Sequence, residues 1–117
     1  MKSRDMKHYV EIARQVALAG GAEALKYFRS KSLIVESKSM AKFDPVTLAD
    51  KRTEEVMRST ILANFPEDGI IGEEHENING TSGISWIIDP IDGTRSFVAG
   101  APTWGILVAV HDGNGPF

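Results

Sequence analysis

Four carboxylates stand where apolar segments run out: Asp50, Glu73, Asp89 and Asp92. The last two lie in Trp86-Ile87-Ile88-Asp89-Pro90-Ile91-Asp92-Gly93-Thr94, where a short β-branched and aromatic run with the composition of a buried strand meets Pro90 and Gly93. Proline cannot donate to a sheet ladder and glycine admits backbone angles closed to other residues, which predicts a tight turn holding Asp89 and Asp92 together. If the apolar segments are anchored in one core, the acids meet at one rim of a sheet, where unneutralised carboxylates repel and lose hydration. A cation relieves both costs. With no cysteine in the chain and no histidine pair at ligand spacing, oxygen donors suit hard ions such as Mg²⁺, Mn²⁺ or Ca²⁺ better than zinc. Two or more such ions polarise a phosphoryl oxygen, activate a water and stabilise a leaving oxygen. The amides of Gly93 and Thr94, if they open a short helix after Asp92, point toward an anion such as phosphate.

The elements that must position these residues are legible as periodicities. Between about Arg4 and Arg29, Met6, Val10, Ala13, Ala17, Ala24 and Phe28 recur mostly three or four apart, flanked by Ile12, Val16 and Leu25. The pattern predicts one long helix whose Gly20-Gly21 pair marks a close-packing point or an interruption. Leu33 to Ser37 reads as a strand and Ser39 to Phe43 as a loop. A second helix is expected to start between Thr47 and Asp50 and to continue to about Asn64, with Met57, Ile61 and Phe65 facing inward and Pro66 ending it. Ile70 to Glu74 and residues 84–89 read as short strands ending in acid. A helical turn over Thr94 to Phe97 and a last strand over Gly105 to Val110 complete the chain. Helices first and short strands afterwards favour an α+β layered arrangement over a simple βαβ series.

Composition narrows the partners. The 117 residues suffice for one domain with an ordinary core, and a formal charge of −3, from 13 basic and 16 acidic residues without a basic run, provides no footprint for nucleic acid or an anionic membrane. The apolar stretch from Trp104 to Val110 is too short to span a bilayer, and the N-terminus lacks the apolar core of a signal peptide. A cytoplasmic location is the expectation. Each acid also has an ordinary reading: Asp50 as a helix cap, Glu73-Glu74 as a solvated strand end, Asp92-Gly93 as a common turn. His8, His75 and His111 read as surface or locally hydrogen-bonded groups, and Trp86 and Trp104 as core or near-core.

Taken in order, Asp44-Pro45-Val46-Thr47-Leu48-Ala49-Asp50, Gly72-Glu73-Glu74 and Trp86-Ile87-Ile88-Asp89-Pro90-Ile91-Asp92-Gly93-Thr94 closely resemble the motifs of the inositol monophosphatase family. The resemblance covers nearly the whole chain. It implies an α+β layered sandwich of the inositol monophosphatase and fructose bisphosphatase type, and a Mg²⁺-dependent, often lithium-sensitive phosphomonoesterase, with Mn²⁺ as the alternative ion. Carried over by motif, it makes Glu73, Asp89, Asp92 and the main-chain carbonyl of Ile91 metal ligands. Thr94, with Glu73 and Asp50, would orient the attacking water, and the Gly93 and Thr94 amides would bind phosphate. The partner implied is a small phosphorylated metabolite, and the full-length family member would be a homodimer. Arg95-Ser96-Phe97 and Gly100-Ala101-Pro102-Thr103-Trp104-Gly105 look more like the bacterial histidinol-phosphatase branch than the inositol phosphatases, so histidinol phosphate and inositol monophosphate are the expected substrates.

The chain departs from the family pattern after Phe117. Members continue into a second half whose Trp-Asp motif supplies a further metal ligand and whose loops contact the substrate alcohol. The expectation is therefore that residues 1–117 form the N-terminal, metal-bearing part of a phosphatase domain. The alternative is a catalytically incomplete fragment that binds a divalent ion and phosphate, or associates through an open sheet edge.

Overall fold

A computed structural model describes residues 3–29, 45–92 and 104–113. Two helices, α1 (Ser3–Leu25) and α2 (Pro45–Asn64), pack against each other and onto a sheet of three strands, β1 (Gly69–Ile71), β2 (Ser85–Asp92) and β3 (Gly105–His111). The strand order is β1-β2-β3, with β1 parallel and β3 antiparallel to β2. The result is an α+β layered fold with a mixed sheet. The expected strand at Leu33 to Ser37, the loop at Ser39 to Phe43 and the helical turn at Thr94 to Phe97 lie outside the described residues.

The first helix is one continuous element through Gly20-Gly21. A Cβ on Gly20 would lie 2.9 Å from Met57 Cγ and 3.0 Å from its sulfur, so this glycine is a close-packing point of α1 on α2. The inward face of α1 differs from the predicted stripe. Tyr9, Ile12, Val16 and Ala24 are buried, whereas Met6, Val10 and Leu25 are exposed. Tyr9 sets this rotation: its ring stacks on Phe65, with centroids 4.0 Å apart, and its hydroxyl reaches the buried Asp68.

The second helix buries Ala49, Thr53, Met57 and Ile61 at four-residue spacing, and Phe65 packs onto the same core with Trp86, Ile70, Ile88 and Val110. It begins two residues earlier than the capping signals predict, with Pro45 in the first turn, where a missing N–H costs nothing. At the opposite end, Asp68 accepts Tyr9 Oη at 2.7 Å, Trp86 Nε1 at 3.0 Å and Ser82 Oγ at 2.6 Å, tying α1, β2 and the entry to β1 together.

The predicted tight turn at Asp89 to Asp92 is not what forms. β2 runs through Pro90 to Asp92, because its pairing with β3 continues to Asp92 opposite Gly105. The register shifts between Asp89 and Asp92, and that irregularity accommodates a proline within an otherwise paired strand. The sheet face away from the helices exposes Ile71, Ile87 and Leu107.

Candidate metal and phosphate site

The parallel pairing of β1 and β2 decides where the acids go. Ile71 lies opposite Ile87, so the chain leaving β1 advances beside β2 and brings Glu73 to the rim that carries Asp89. Burial pushes the Asp89 carboxyl above its ordinary range. The charges of Glu73, Asp92 and Glu54 push it further, against a hydrogen bond from the Ile91 backbone that favours the ionised form. Glu74 is raised for the same reasons, first by burial and then by Glu54 and Glu73, while Lys51 and His75 act the other way. Asp89 is half-buried and Glu73 and Asp92 are exposed. The rim is a row of mutually repelling carboxylates partly withdrawn from water, the electrostatic complement of a hard cation.

Different elements hold each member. Asp89 and Asp92 belong to β2, whose Ile91 side chain is buried with Ala24 and Ala49 in a second apolar cluster, packed by Phe28, Trp104 and Ile106. That anchor fixes the backbone on which the Ile91 carbonyl sits. Asp50 is half-buried in α2, one turn before Glu54. Glu73 follows β1 within the segment Gly72 to Glu76, which lies across α2. Among the described residues, no three aspartate, glutamate or histidine side chains are gathered closely enough to enclose a metal ion. Gly93 and Thr94, the expected phosphate and water-orienting residues, lie outside the described residues.

Two residues at this rim were not singled out from the sequence. Glu54, with no exposed surface, accepts Arg58 Nε at 3.0 Å and the Glu74 amide at 3.1 Å. Arg58 donates its remaining guanidinium nitrogens to the carbonyls of Glu76, at 2.8 Å, and His75, at 3.2 Å. The available signal was Glu-x-x-x-Arg placed one residue along from the buried row of α2, which ordinarily marks an exposed helix pair. The histidines match their expected local roles: His8 packs edge-on against Phe65, His75 Nε2 lies 3.2 Å from the Lys51 carbonyl, and His111 Nδ1 accepts the Gly113 amide. No helix among the described residues is long and apolar enough to cross a membrane.

A helix pair on a mixed sheet, with acids on β2 and just past β1 near one rim, defines the chain as a layered α+β domain. The chain belongs to the inositol monophosphatase family, which it matches over residues 5–117. It is 45% identical over 102 residues to the histidinol-phosphatase of Chlorobaculum parvum, covering 87% of this chain and 39% of that one. It is 37% identical over 101 residues to the inositol-1-monophosphatase of Rhizobium meliloti, covering 86% and 37%. Among solved structures, an inositol monophosphatase from Zymomonas mobilis superposes with a TM-score of 0.71 at 32% identity, over 97% of this chain and 42% of that one. The chain thus spans about two-fifths of the length of these relatives.

Proposed function

We propose that residues 1–117 are the N-terminal, metal-bearing part of a phosphomonoesterase domain that hydrolyses a small phosphate ester, histidinol phosphate or inositol monophosphate. The observation that supports this reading is the Asp89 carboxyl, held above its ordinary range first by burial and then by the charges of Glu73 and Asp92 beside it on the sheet rim. An oxygen-only donor set in that electrostatic state fits Mg²⁺, or Mn²⁺ in its place, and Glu73, Asp89, Asp92 and the Ile91 carbonyl would hold it. When bound, such an ion offsets charge on the phosphoryl oxygens and lowers the pKa of water.

The chain's own residues have distinct tasks in this scheme. Asp89 and Asp92 sit on a strand anchored in the core through Ile88 and Ile91, which fixes the backbone that presents them. Glu73 contributes charge from the neighbouring segment. Thr94, with Glu73 and Asp50, orients the attacking water, and the amides of Gly93 and Thr94 bind the phosphate, roles supported by the family wording of this stretch. The preference for histidinol phosphate rests on the similarity to the Chlorobaculum parvum enzyme.

A second reading follows from the coverage of the relatives and from β3, which ends the observed strand order. In it the chain binds a divalent ion and phosphate, or pairs through its open edge, without turnover. Phosphate release with Mg²⁺ over histidinol phosphate, inositol monophosphate and a sugar bisphosphate separates the two, with EDTA and Glu73→Gln as controls. Release that EDTA and Glu73→Gln both abolish supports the enzyme. Metal binding without release by folded protein supports the second reading, and release that persists in Glu73→Gln overturns the site.

A further inference from the structure

Glu73 comes from a segment that belongs to no helix or strand, so something other than the sheet must fix it. β1 ends at Ile71, and residues 72–76 have no ladder partners. Three of their polar backbone groups, the Glu74 amide and the His75 and Glu76 carbonyls, turn instead to the Glu54–Arg58 pair of α2. Glu54 Oε1 receives the Glu74 amide, and Arg58 donates to the carbonyls of His75 and Glu76 while its Nε holds Glu54 Oε2. The contact is tight on the other side as well, since a Cβ on Gly72 would lie 2.7 Å from Glu54 Cδ. Both partners are buried, Glu54 completely and Arg58 to 9% exposure, so water does not substitute for these bonds.

The geometry points to Glu54 and Arg58 as positioning residues for the metal rim, an inference that rests on the function proposed above. They touch no expected ligand directly. They hold the backbone one, two and three residues after Glu73 by hydrogen bonds, with Gly72 packed against Glu54 just before it, and thereby set where the Glu73 carboxylate stands relative to Asp89. Arginine suits this task because its planar fork serves a carboxylate and two carbonyls at once, whereas an ammonium group serves as a compact point charge. Glu54 orients that fork and supplies the acceptor for the Glu74 amide.

Arg58→Lys is the discriminating variant, because it keeps a positive charge beside the buried Glu54 and gives up the two planar donors to residues 75 and 76. Mn²⁺ binding is read from the free-ion EPR signal for the unsubstituted chain, Arg58→Lys and Asp92→Asn. Amide hydrogen exchange is followed for residues 73–76 and for α2. Groups that orient metal ligands typically change affinity about 10- to 100-fold when altered, and about a tenfold loss is expected for Arg58→Lys. The amides of 73–76 should exchange faster while those of α2 stay protected. Mn²⁺ affinity within twofold of the unsubstituted chain, or weaker binding without faster exchange at 73–76, overturns the inference. If Arg58→Lys does not fold, Glu54→Gln, which retains an acceptor for the Glu74 amide but not the charge, is judged by the same two readouts. Weakened binding in Asp92→Asn alone leaves the proposed function standing and overturns the positioning role. No binding by the unsubstituted chain, or unchanged binding in Asp92→Asn, overturns both.

Discussion

Replacing Asp68 with alanine removes the acceptor for three side chains at once, and the structure says which of them cannot recover. Trp86 has no exposed surface, so its indole N–H is left as a buried donor facing a methyl group, and the Tyr9 phenol, 8% exposed, loses its hydrogen bond to the Asp68 carboxylate. A buried unmet donor costs about 1–3 kcal/mol and a lost hydrogen bond to a charged group about 1.5–3 kcal/mol, so the two losses together cost roughly 4 kcal/mol. Ser82 is exposed and exchanges Asp68 for water at little cost. Asp68→Asn is a different perturbation. Its amide oxygen takes the place of the carboxylate oxygen shared by Tyr9 and Trp86, and its amide nitrogen faces a Ser82 hydroxyl able to turn and accept. Only charge assistance is lost, about 1–2 kcal/mol. Urea unfolding followed by tryptophan fluorescence and circular dichroism measures both. With a slope of about 1–3 kcal/mol per molar urea, the alanine variant should unfold roughly 2 M earlier and the asparagine variant less than 1 M earlier. Alanine and asparagine variants within about 1 kcal/mol of one another would refute the reasoning that the lost acceptor, rather than the lost charge, carries most of the cost.

Adjacent glycines in α1 should respond in opposite directions: Gly21→Ala, with open space at its Cβ, should stabilise by roughly 1 kcal/mol through helix propensity, whereas Gly20→Ala should lose that gain to displacement of Met57. Equal urea midpoints for the two would contradict the close approach of the helices. Gly72→Ala should cost about 2 kcal/mol and also weaken Mn²⁺ binding, because the added methyl meets a Glu54 carboxylate already held by Arg58 and the Glu74 amide. Unchanged stability and binding would show that the segment can lift off α2 freely. The raised Asp89 carboxyl gives a signed pH dependence. Its folded form holds the proton more tightly than the unfolded chain, so its contribution is fully present below the ordinary carboxyl pKa and is lost as pH rises through the raised value. In EDTA, the unsubstituted chain should therefore lose stability relative to Asp89→Asn across that window, and Mg²⁺ should reverse the loss; a relative gain in EDTA would refute the sign.

Long periodic elements were readable from sequence because their cores are: Met57 and Ile61 repeat at four-residue spacing and are buried as that spacing requires. The phase of α1 was less readable, since alanines occur all around it and hydropathy alone does not favour Tyr9 over Val10. What decides is a tertiary hydrogen bond to Asp68, which looks in sequence like part of an ordinary Glu-Asp-Gly turn. The Asp89 to Asp92 segment illustrates the reverse case. Its proline has turn wording, but pairing of Asp92 with Gly105 overrides the local preference and keeps Pro90 to Asp92 in the sheet. Glu73, Asp89 and Asp92 were legible as acids at the close of apolar runs. Their convergence needed the parallel register of β1 and β2, which no local pattern specifies.

The shortest element carries the greatest positional burden. β1 has three residues and buries Gly69 and Ile70, too little to hold its own register by packing alone. It is gripped instead at both ends: before it, Asp68 joins Tyr9 and Trp86; after it, Glu54 and Arg58 clamp the backbone of residues 74–76. Both grips are charged groups withdrawn from water, and both are satisfied by donors from other elements, the arrangement under which buried charge specifies geometry rather than merely costing free energy. The repulsion that Glu73 brings to Asp89 tends to push the end of β1 away from β2. The anchors oppose that displacement from opposite ends of the strand, so the rim can keep its acids close before any cation arrives to neutralise them.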